Sequence, residues 1–170
     1  MYGSGAFSAN WSRDGRWIYF ASNRSGRAEV WKVAKEGGEA IQVTRSGGKR
    51  AFESPDGKYI YYDKSGSAAQ SLFRMPVQGG EEEVVLPAAE VNPELWLSGF
   101  AVTAKGIYFF APGSKAIQLM DATTGKVSSL ATLDTEGYLL TASRDDRYLL
   151  WTSSQSGDFS NDIMLVENFR

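Results

Sequence analysis

The 170-residue chain has no cysteine and no histidine. Without cysteine there is no disulfide, no thiolate nucleophile and no Cys-based zinc site. Without histidine there is no Ser-His-Asp triad and no imidazole metal ligand. Charge of one sign is also scarce, since 18 Lys and Arg offset 20 Asp and Glu for a formal net charge of −2. That balance argues against an electrostatic grip on nucleic acid or anionic lipid. No apolar run approaches the roughly 18 residues of a membrane span, so no membrane insertion is expected. Met1-Tyr2-Gly3-Ser4-Gly5 has neither the basic start nor the apolar stretch of a secretory signal. Nothing selects cytoplasm over periplasm.

What is abundant is glycine, at 18 residues, and aromatic side chains, at 13%. Together they fit short strands alternating with tight turns. The chain is organised around Ser54-Pro55-Asp56-Gly57-Lys58-Tyr59-Ile60-Tyr61-Tyr62, which Ser12-Arg13-Asp14-Gly15-Arg16-Trp17-Ile18-Tyr19-Phe20 anticipates 42 residues earlier. Worn forms follow at Thr103-Ala104-Lys105-Gly106-Ile107-Tyr108-Phe109-Phe110 and at Ser143-Arg144-Asp145-Asp146-Arg147-Tyr148-Leu149-Leu150-Trp151. A period of forty-odd residues, each opening on a turn and a β-branched and aromatic strand, is the signature of a propeller blade.

The expected fold is therefore all-β: one β-propeller segment, a half-propeller domain over 1–170, with four blades of up-and-down antiparallel strands. The repeats fall at about 5–46, 47–90, 91–132 and 133–170. Strands are expected at 6–11, 17–21, 29–33 and 40–44; at 50–53, 59–63, 71–76 and 82–86; at 97–102, 107–111, 117–121 and 126–130; and at 138–142, 147–152 and 162–167. The last blade lacks an outer strand. Asp14 to Gly37 and Asp56 to Gly79 are both 23 residues, so the second repeat copies the first without a gap.

The units Ser12-Arg13-Asp14-Gly15 and Ser54-Pro55-Asp56-Gly57, each followed by Ile-Tyr-aromatic, resemble the repeats of TolB-like, WD-related β-propellers. Gly106-Ile107-Tyr108-Phe109 and the stretch Asp162-Ile163-Met164-Leu165-Val166-Glu167-Asn168-Phe169 resemble the C-terminal propeller half of bacterial proteins that carry an N-terminal winged-helix domain. The resemblance implies a scaffold or sensor without a shared catalytic set. Two departures stand out: Lys105 occupies the Asp position of the third repeat, and no winged helix is present, so no DNA-binding role carries over.

Chemistry-bearing patterns each have a plainer account. Gly48-Lys49 and Gly125-Lys126 lack the glycine five residues earlier that a phosphate loop needs. Ser46-Gly47-Gly48-Lys49 matches a Ser-x-x-Lys string but lies in a glycine-rich loop, not at a helix start. Asp14, Asp56, Asp145 and Asp146 recur at one turn position and read as turn caps, not as an acid/base set. Asp158 and Asp162 bracket an oxygen-rich loop that calcium would accept, against the alternative of an ordinary polar loop. Of Trp11, Trp17, Trp31, Trp96 and Trp151, four fall in or beside expected strands and read as core; Trp96 is the expected exception.

No catalytic residue, metal or cofactor is expected. The expected role is a non-enzymatic ligand- or protein-binding scaffold, with Arg24, Arg27, Arg45, Lys49, Arg50 and Trp96 as candidate binding residues. These lie on loops of unequal length, where binding residues concentrate, and the basic ones fit a carboxylate-bearing peptide. Replacing Arg24, Arg27 and Arg50 with Ala is expected to abolish capture without lowering the melting temperature. Because blades bury their faces only against other blades, two chains completing an eight-bladed ring is the expected assembly. The alternatives are a substrate-gating propeller fragment of a serine peptidase, or a sensor module of a bacterial regulator.

Overall fold

Three of the four blades open on the same side-chain-capped turn. In the computed structural model, which describes residues 5–64, 71–87, 99–110, 115–135, 137–143, 145–154 and 161–167, Ser12 donates its hydroxyl to Asp14 (2.7 Å) and accepts the Trp17 N–H (2.9 Å). Asp14 in turn accepts the Arg16 N–H (2.9 Å). Ser54 and Asp56 repeat this on Lys58 and Tyr59, and Ser143 and Asp145 on Arg147 and Tyr148. The cap satisfies backbone donors that the turn leaves unpaired, and so releases the chain directly into a strand. Gly15 (φ 68°) and Gly57 (φ 69°) supply the left-handed residue of the turn, and Asp146 adopts φ 54° in the same place.

The chain divides into two compact units, Met1–Ala88 and Ala89–Arg170. In the first, β1 (Ala6–Trp11), β2 (Trp17–Ser22), β3 (Glu29–Ala34) and β4 (Ile41–Gln42) form one antiparallel sheet in sequence order. Strands β5 (Ala51–Glu53), β6 (Tyr59–Asp63), β7 (Leu72–Pro76) and β8 (Glu83–Leu86) form a second of the same kind. Most of β2 is buried or half-buried on both faces, which is why its sequence carries bulky residues without polar alternation, whereas β1 is exposed over most of its length. Trp17 and Tyr19 of β2 pack with Ile60 and Tyr62 of β6 in one apolar cluster.

The second unit holds β9 (Phe100–Val102), β10 (Gly106–Phe110), β11 (Ala116–Asp121) and β12 (Val127–Thr132), then β13 (Gly137–Ala142), β14 (Tyr148–Ser154) and β15 (Asn161–Glu167). Its core joins Tyr108 and Phe110 of β10 to Leu149 and Trp151 of β14, the same strand pairing as in the first unit. The turn into β10 lacks the Ser-Asp cap. There Thr103 Oγ1 accepts the Gly106 N–H (3.3 Å), and Gly106 takes φ 148° with a would-be Cβ only 1.9 Å from the Met120 carbonyl oxygen. Glycine is required there.

Each of the four sheets is up-and-down and antiparallel, and the last has three strands among the described residues. This is the all-β, four-bladed propeller segment that the repeats imply. Two local expectations are corrected. The Asp146 carboxylate does not cap its own turn; it accepts the Ala104 N–H of the preceding blade (3.1 Å). Trp11, read as core, is 61% exposed although it lies on a strand.

Candidate functional site

Between blades 1 and 2 lies an open groove of about 660 Å³, walled by residues 42–46 on one side and by residues 78–82 with Met75 on the other. One wall is the exit of β4 into the connection between the blades. The other is the β7–β8 turn, where Gly79 and Gly80 both take positive φ and bring backbone to the groove with no side chain in front of it. The groove therefore draws on a variable inter-blade link and on a constant glycine turn together.

A buried carboxylate shapes the first wall. Glu29 accepts from the Thr44 hydroxyl (2.6 Å), the Gly47 N–H (3.0 Å) and Arg27 Nε (2.6 Å), while Thr44 Oγ1 accepts the Val30 N–H (2.8 Å). Four bonds thus fix the link that follows β4. The Arg27 guanidinium also donates to the Arg45 carbonyl, which holds that backbone while the Arg45 side chain stays exposed on the groove wall. Opposite, Glu82 is bonded by Lys64, by the Tyr62 hydroxyl (2.5 Å) and by Ser46 (3.0 Å). Burial alone would raise the Glu82 pKa, but these three donors hold it below the ordinary carboxylate value. Lys64 also sits 4.1 Å from the Phe73 ring centroid.

The candidate basic residues are not one patch. Arg27 and Arg45 are brought together at the groove. Lys49 and Arg50 converge instead on Asp63: the Arg50 guanidinium pairs with its carboxylate at 2.8 Å, and the Lys49 N–H donates to its carbonyl at 2.8 Å. The Lys49 pKa is lowered, mainly by burial and secondarily by Arg50, against the pull of Asp63. Arg24 lies elsewhere, stacked 5.2 Å from the Phe20 ring and 5.0 Å from that of Trp31. Trp96 and Asp158 lie outside the described residues, as does the Asp162 side chain. Arg27 thus pairs with the buried Glu29 and Arg50 with the part-buried Asp63, so replacing either is expected to lower stability.

The seam carboxylates are what sequence reasoning missed. Glu53 accepts the Arg13 N–H (2.8 Å) and the Tyr19 hydroxyl (2.6 Å), both from the preceding blade, and burial with this bond raises the Tyr19 pKa. The signal was a glutamate immediately before the capped turn, where the first repeat has Trp11.

No family model matches the chain. An uncharacterized protein of Agrobacterium fabrum is 43% identical over 37 residues, 22% of this chain and 13% of that protein. TolB from Acinetobacter baumannii superposes on 97% of this chain with a TM-score of 0.81 at 18% identity. The fold is that of a TolB-like β-propeller. The putative TolB from Agrobacterium tumefaciens matches 96% of the chain with a TM-score of 0.72 at 16% identity, and a Mycobacterium tuberculosis puromycin-hydrolyzing peptidase matches 96% at 0.68 and 16%. The chain spans 41%, 58% and 28% of those three proteins, respectively. At such identities the TolB-like likeness is one of fold, which many functions share.

Proposed function

We propose that this TolB-like segment is a non-enzymatic scaffold that binds a peptide or protein in the groove between blades 1 and 2, and that two copies complete an eight-bladed ring. The observation that carries the binding reading is Arg45, exposed on the wall of a groove whose other charged residues are Glu81 and Glu82. Glu82 is neutralised by Lys64, whereas the Arg45 side chain makes no ion pair among the described residues. A guanidinium in that position takes a peptide carboxylate bidentately. The turn aspartates support the non-enzymatic reading, because each commits its carboxylate to backbone N–H groups.

The test is fluorescence anisotropy with a labelled acidic hexapeptide bearing a free C-terminal carboxylate, beside its amidated and neutral counterpart. Saturable binding that Arg45→Ala weakens about tenfold or more, the loss of one charge-assisted hydrogen bond, is expected. Equal binding by Arg45→Ala, or cleavage of the peptide seen by mass spectrometry, contradicts the reading.

A further inference from the structure

Two side chains of opposite charge stand on opposite walls of the groove without pairing. Arg45 belongs to the wall formed by the link after β4, and Glu81 to the wall formed by the β7–β8 turn. Both are exposed, and the side chain of neither makes an ion pair or hydrogen bond with the other or with any further described residue. The neighbouring charges are already paired. Glu82 takes Lys64, the Tyr62 hydroxyl and Ser46, while Arg27 is held by Glu29. One cation and one anion are thus left for a bound molecule, one on each wall.

The fold has no use for the Arg45 guanidinium. Its backbone carbonyl serves the structure by accepting from Arg27, but the side chain does not. Forty-two residues on, at the matching position of the second repeat, stands Pro87, so a charge here is not part of the blade pattern. Glu81 does recur, as Glu39 after Gly37-Gly38, and it is the placing of Arg45 on the other wall that sets this groove apart. Val43 and Met75, which belong to the apolar cluster of the first unit, also line the groove.

We infer that the groove takes a zwitterionic peptide segment, whose carboxylate meets Arg45, whose ammonium or guanidinium meets Glu81, and whose intervening aliphatic residue packs on Val43 and Met75. The inference rests on the peptide-binding reading above and names the charge pattern of the ligand. Opposed charges on two walls select as much by what they repel as by what they attract. A purely acidic segment satisfies Arg45 but brings a like charge toward Glu81. A purely basic one does the reverse toward Arg45. A segment with both signs leaves neither wall opposed.

The experiment is fluorescence anisotropy at low ionic strength with three pentapeptides, Glu-Ala-Leu-Ala-Lys, Glu-Ala-Leu-Ala-Gln and Gln-Ala-Leu-Ala-Lys. Each carries an uncharged N-terminal label and a C-terminal amide, so that side chains hold all the charge. The full chain binds the first at least about fivefold more tightly than either of the others, the order of one good exposed ion pair. Added salt narrows the gap. Arg45→Glu and Glu81→Arg, each alone, abolish the preference, and the two combined restore it, a rescue that damage to the fold does not produce. Equal binding of the Glu/Lys and Glu/Gln peptides by the unmodified chain, with Arg45→Ala still weakening both, overturns the zwitterion inference and spares the binding reading. A double variant without the preference overturns the inference as well. Binding of none of the three peptides overturns the binding reading itself, and the inference with it.

Discussion

Tyr19 donates its hydroxyl to Glu53 across 2.6 Å, from the second strand of blade 1 to the first strand of blade 2. The same carboxylate takes the Arg13 N–H, so one side chain ties the preceding blade at both its turn and its core. In the second unit Asp146 plays the corresponding part, accepting the Ala104 N–H beside Tyr108. Propeller blades slide against one another over apolar surface, which is non-directional. A directional bond across the seam fixes their register.

Tyr19→Phe removes the hydroxyl and leaves Glu53, 9% exposed, short of one donor. The expected loss is about 1–3 kcal/mol in urea unfolding.

Ser54→Ala removes a buried hydroxyl that donates to Asp56 and accepts from Tyr59 N–H (3.0 Å). About 1–2 kcal/mol of stability is lost, with groove binding unchanged. Denaturant melts beside peptide titration check both halves of the statement.

Acid acts on the same caps. The Asp14, Asp56 and Asp145 pKa values lie below the ordinary 3.8, first because of the serine hydroxyl in each turn. A depressed carboxyl stabilises the fold fully above its unfolded value and loses that contribution as pH falls through the folded value. Stability is therefore expected to drop below about pH 4, and Ser54→Ala to flatten that drop in a series of urea melts across pH.

Alkali acts on the seams. Burial, then a neighbouring carboxylate, raises the pKa of Tyr19 and Tyr62 well above normal, and that of Tyr108 to about 12. A raised phenol stabilises the fold below its unfolded value near 10 and loses that contribution as pH climbs through the folded value. Ultraviolet titration is expected to show a late phase from Tyr19, Tyr62 and Tyr108 that coincides with unfolding.

The blade count, the turn caps and nearly every strand were legible because they recur at a fixed spacing and arise from local hydrogen bonds. Ser54 and Asp56 carry their own explanation within five residues. Glu53, Glu29 and Asp146 were not legible, because their partners lie in another strand or another blade and nothing in the local pattern marks them. Trp11 misled for the opposite reason: a strand position says which way a side chain points, not whether anything covers it. The pairing of Arg50 was not legible either, since its charge reads as surface until Asp63 is seen beside it.

Light scattering of the unmodified chain at tens of micromolar, as a working range for modest affinity, bears most directly on the central claim that the segment is completed by a second copy. The account predicts a mass of twice 18.6 kDa, falling toward a single chain on dilution. A mass of 18.6 kDa throughout contradicts it.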